Sequence, residues 1–123
     1  MKRRDLTTWT LDELVGRFEE ICIAQDQAIF DDKTAKFNRL YAKMDEVSEE
    51  LCRRGPEARR ALMRLYGHSN MQLRVQAAKS SYGAAPVEAR ACLQRVVDSR
   101  FMPQALHAGM SIAALDDGTS MLS

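Results

Sequence analysis

Nine residues of this chain recur in recognisable form 31 positions further on. Glu57-Ala58-Arg59-Arg60-Ala61-Leu62-Met63-Arg64-Leu65 aligns without a gap on Glu88-Ala89-Arg90-Ala91-Cys92-Leu93-Gln94-Arg95-Val96, with five of nine positions identical. Each copy follows a proline, Pro56 or Pro86. Proline suits the first position of a helix, where the N–H it lacks would have no intrahelical partner. After each copy comes a second helical stretch, predicted over Met71–Tyr82 and Gln104–Leu115. Helix pairs repeating at such a period cannot bury their apolar faces alone, so they stack on one another. The repeat therefore predicts an all-α chain, with one helix pair over 56–85 and another over 86–117.

Asn70–Ser80 is the most informative part of the first pair. Asn70 is a good helix N-cap. Leu73-Arg74 is followed one turn later by Ala77-Ala78, and side chains that small let a neighbouring helix come close. Arg74 is expected to tie neighbouring helices together.

The N-terminal part reads as two longer helices. Thr10 and Glu13 have the spacing of a capping box, and Trp9 and Leu14 that of a hydrophobic staple. Leu11, Leu14, Val15, Phe18, Ile21, Cys22 and Ile29 then follow a helical period. Gln25 lies within that stripe and needs a hydrogen-bond partner there. Asp31-Asp32-Lys33-Thr34 is expected to provide a turn and a cap. The second helix places Phe37, Leu40, Tyr41, Met44, Val47 and Leu51 on one face. It should end at Arg53-Arg54-Gly55, with cations at the negative end of the helix dipole and Gly55 as a left-handed cap. A connection this short predicts an antiparallel hairpin over 10–55. The whole expectation is one domain over 1–123: six helices in a short, curved, right-handed α-solenoid. The hairpin would cap one end and helix 103–115 the other, with a frayed tail over 118–123.

Composition excludes several classes. With 46% apolar residues, 28% charged, 6 Gly and 3 Pro, the chain is neither disordered nor rich in turns. The longest apolar runs, Ile21–Ala24 and Ile112–Leu115, hold four residues, whereas a membrane helix needs about 20. No apolar segment follows the basic start, so a secretory signal is not expected. The odd, widely spaced Cys22, Cys52 and Cys92 form no C-x-x-C motif and read as core thiols of a reducing compartment. A cytoplasmic protein is expected.

The net charge of +1 conceals an asymmetry. Residues 5–50 carry 12 acids and 5 bases, and residues 51–100 carry 10 bases and 3 acids. The two halves could attract one another weakly, or one half could meet an oppositely charged partner.

Leu73-Arg74-x-x-Ala77-Ala78 resembles the second helix of a HEAT-like repeat, with Asn70 where an acidic residue is usual and Ser81 where a large aliphatic one is. The whole chain resembles a family of short bacterial proteins known as domain of unknown function 2019. The matching pieces are Gln25-Asp26-x-Ala28, Asn38-Arg39-Leu40, Glu50-Leu51-x-x-Arg54, Leu73-Arg74, the Ala pair, Pro86 with Ala89-Arg90, and Pro103-Gln104, spanning about 14–118. The resemblance implies a small HEAT- or ARM-like helical fold and no particular reaction.

No catalytic constellation, cofactor motif or metal-ligand cluster is legible. His68 reads as an exposed loop residue, and His107 stands alone. G-x-S-x-G, Walker and dinucleotide motifs are lacking. The paired carboxylates read as a solvated face. An enzyme would need residues that only the fold assembles, such as Gln25, Asn38 and His107. The expected function is instead a non-enzymatic protein-interaction module, with room for homo-oligomers and no membrane. Gln72, Gln76, Lys79 and Gln104 are candidates for its concave face. The alternative is binding of nucleic acid or another acidic polymer by Arg53, Arg54, Arg59, Arg60 and Arg64.

Overall fold

The computed structural model describes residues 5–118. All regular structure among these residues is helical. A short 3-10 turn (Leu6–Thr8) precedes α1 (Leu11–Phe30) and α2 (Thr34–Arg53). Then come α3 (Pro56–Arg60), a 3-10 segment (Ala61–Leu65), α4 (Met71–Ser81), α5 (Pro86–Ser99) and α6 (Gln104–Asp116). The chain divides into two compact units, one up to Ala61 and one from Leu62 onward.

In the first unit, α1 opens on the expected box. The Glu13 amide donates to Thr10 Oγ1 at 3.1 Å, and the Thr10 amide donates to Glu13 Oε1 at 2.9 Å. Leu14, Phe18, Ile21 and Cys22 are buried from α1, and Met44, Val47 and Leu51 from α2. Gln25 is wholly buried in this apolar stripe, and its amide donates to Met44 Sδ at 3.5 Å.

The turn between these helices needs no side-chain cap, contrary to expectation. Asp32 takes a left-handed conformation (φ 56°), and the Lys33 amide returns to the Ala28 carbonyl at 2.9 Å. Helix α2 buries less than its pattern predicts: Phe37, Leu40 and Tyr41 are only half-buried. Cys52, read above as a core thiol, is exposed. It lies one position past Leu51, which takes the buried place.

Arg54 shows how the hairpin is closed. Its guanidinium donates to the carbonyls of Leu6, Thr7 and Trp9 at 3.1, 3.3 and 2.7 Å. The end of α2 therefore lies beside the start of α1, and the pair is antiparallel. Gly55 follows with φ 106° and ψ 175°. This is not the expected left-handed cap. It is an extended, positive-φ conformation essentially restricted to glycine, and it sends the chain straight into α3 behind Pro56.

The internal repeat reappears as repeated burial. Ala58, Ala61, Leu62 and Leu65 are buried, and so are Ala89, Cys92, Leu93 and Val96, each 31 residues on. Backbone geometry differs between the copies. The second is one continuous α-helix, whereas the first tightens into a 3-10 helix after Arg60. Three-residue hydrogen bonds, Tyr66 to Met63 and His68 to Leu65, carry that tightening into the turn before α4.

In the second unit α4, α5 and α6 pack on one another. Ala77 and Ala78 are wholly buried, consistent with the close approach their size permits. Arg90, in α5, grips the Asp116 carboxylate at the end of α6 with bonds of 2.8 and 2.7 Å, so these helices run antiparallel. Tyr66 Oη and Ser81 Oγ share a hydrogen bond of 2.5 Å, and Ser81 also donates to the Ala77 carbonyl at 2.7 Å. The Ser81 hydroxyl is thus satisfied inside the core. The fraying expected over 118–123 concerns, from Thr119 onward, residues outside those described.

Candidate interaction groove

The second helix of the first pair begins as its sequence dictates. Asn70 Oδ1 accepts from the Leu73 amide at 3.0 Å. His68, expected to be exposed, is half-buried and holds the same turn, its Nδ1 accepting from the Asn70 amide at 3.0 Å. Arg74 turns back along the chain, and its Nε donates to the His68 carbonyl. It therefore fixes the turn leading into its own helix instead of bridging two helices by its side chain.

The four residues expected on a concave face separate into two kinds. Gln72 and Gln104 are interior, 2% and 0% exposed, and Gln104 Nε2 donates to Gln72 Oε1 at 3.2 Å. They are contacts of the core between α4 and α6, not a surface. Gln76 is buried too, 7% exposed, while Lys79 is half-buried, but these two border open space. With Val75 they line a groove of about 380 Å³, whose other wall is His107, Met110, Ser111 and Ala114 of α6. Val75 and Lys79 are four apart on α4, and the α6 residues follow i, i+3, i+4, i+7, so each wall is one helix face. The sequence marked Gln76 and Lys79 and noticed His107 alone. Met110, Ser111 and Ala114 escaped notice because nothing local shows which face of an almost uniformly apolar helix will stay uncovered.

The arginines of the alternative site are engaged. Arg53 and Arg54 bind the two oxygens of the buried Glu50 at 3.0 and 2.9 Å. Arg54's hydrogen bond foremost, and then that of Arg53, hold the Glu50 carboxyl below its usual range. Arg59, Arg60 and Arg64 have interaction partners as well. Asn38 lies exposed on α2 while Gln25 is wholly buried. Among the described residues no group of three or more His, Cys, Asp or Glu is placed to hold a metal, and no helix is long and apolar enough to cross a membrane.

These features define a small all-helical protein whose open groove lies between two helices. The chain belongs to the family described as Domain of unknown function (DUF2019), which matches residues 12–116. It is similar to the protein RPA1889 from Rhodopseudomonas palustris CGA009, known from a crystal structure, with 41% identity and a TM-score of 0.92 over 97% of this chain and 98% of that one. No curated protein matches the sequence.

Proposed function

We propose that this protein is a non-enzymatic interaction module whose partner protein docks on α6 and the groove beside it. One observation carries the reading. From Gln104 to Leu115, α6 has no Asp, Glu, Lys or Arg, yet Leu106 and Met110 are 57% and 62% exposed. A helix apolar on all sides normally lies inside a protein, and an exposed apolar stripe marks a surface that something covers. Phe101 and Met102, just before the helix, are exposed too. In this reading the two helix pairs act as HEAT-like repeats, which commonly present binding surfaces. The three free thiols suit the reducing cytoplasm as the place of action.

The test is affinity capture from native extract at physiological salt, using the wild type and Met110→Glu. Helicity of both is checked by circular dichroism. A protein retained by the wild type and lost by the variant supports the proposal. Equal retention by both overturns it, as does retention of nucleic acid alone.

A further inference from the structure

We infer that the α4–α6 groove takes a short acidic segment of the partner protein, an apolar anchor packing on Met110 and Ala114 and a neighbouring carboxylate meeting Lys79 and His107. This rests on the interaction reading above and names the partner's chemistry.

Charge points to an acidic occupant. Lys79 is the one formally charged residue among the groove's lining, and no carboxylate is among the described residues that line it. Helix α4 has no acid along its length, and α6 has none before Asp116. No ion pair among the described residues holds Lys79. An ammonium on a partly apolar wall is a ready partner for a carboxylate, and desolvation on docking strengthens that pairing. Gln76 on the α4 wall and Ser111 on the α6 wall add hydrogen-bonding groups. Basic occupants would bring cation against cation.

Shape points to a protein segment. The groove's 380 Å³ lies near the low end of the roughly 300–1,000 Å³ typical of small-ligand sites. Its apolar surface does not stop at the rim. Met110 belongs both to the groove and to the exposed stripe that continues to Leu106. A small carboxylic acid would leave that stripe bare, whereas an amphipathic segment covers both by the helix-in-groove mode. Methionine is well suited to such a wall, being flexible and polarizable.

The test is selection of a displayed random dodecapeptide library on the immobilised full chain, followed by titration of the enriched synthetic peptides. Sequences pairing Asp or Glu with Leu, Met or Phe should be enriched. Lys79→Glu should weaken such a peptide by about tenfold or more, the scale of close charge pairs at interfaces, and a peptide with its acids replaced by lysine should recover binding to that variant. Lys79→Met keeps the stem and should lose the acid preference while retaining apolar binding. Enriched peptides without acidic residues, or affinities that Lys79→Glu leaves unchanged, overturn this inference and leave the interaction module standing. No enrichment on any form overturns both.

Discussion

The side-chain amide of Gln104 donates to the Oε1 of Gln72 at 3.2 Å, joining two helices inside a core where both residues are almost wholly buried. A buried amide deprived of its partner keeps its desolvation penalty. Gln72→Met should therefore destabilise the protein by about 1–3 kcal/mol. Replacing both residues by methionine should recover most of that loss, because neither polar group remains. Urea unfolding of the two single variants and the double variant gives the coupling directly.

Arg54 secures the segment before α1 through three carbonyls while its Nε binds Glu50 at 2.9 Å. Lysine has one nitrogen and cannot reach the carboxylate and three carbonyls together. Arg54→Lys should leave the helices intact while amide exchange over Leu6–Trp9 rises several-fold. Hydrogen exchange read by mass spectrometry would show this, and unchanged exchange would deny the latch.

Glu50 also sets an acid limit. Hydrogen bonds from Arg54 and then Arg53 hold its folded carboxyl below the ordinary value of 4.5. Asp5 is held low in the same way by the Thr7 hydroxyl and amide. Below the ordinary value the unfolded chain takes up protons that the folded carboxylates resist, so acid favours unfolding. The stabilisation is fully present above that value and is lost as pH falls through the folded one. Glu50→Gln should flatten the fall in urea midpoint with acidification. An equally steep fall would locate the effect elsewhere.

The cysteines should divide by accessibility. Burial pushes the Cys22 thiol far up and also raises that of Cys92, whereas Cys52 is exposed. A thiol reagent at neutral pH should modify one cysteine quickly, and the other two only on the timescale of unfolding. Cys52→Ser should abolish the fast phase.

Ala77 and Ala78 have no room to grow, being fully buried. Enlarging Ala77 to leucine should cost about 1–3 kcal/mol by overpacking. At the surface, Thr10→Ala removes the hydroxyl that caps α1, together with an exposed methyl, with an expected loss of about 1 kcal/mol. Thermal melts of the two variants would separate packing from capping.

Local signals were legible without a fold. The Thr10–Glu13 box, the prolines that begin α3 and α5, the Asn70 cap and the 31-residue echo of buried positions all follow from short-range sequence. Backbone capping and helical period involve residues within a few positions of each other, so the chain by itself determines where its helices lie and that each has an apolar side. It does not determine which neighbour covers that side. Gln72 and Gln104 read as surface glutamines because only a segment 32 residues away could satisfy them in the interior. Cys52 and the first half of the α2 stripe read as core, yet no neighbour buries them completely. The groove carries the same lesson: Lys79 and Met110 line one groove only because α4 and α6 pack together, and which face of an almost uniformly apolar helix stays open is decided by the tertiary contacts that close the others.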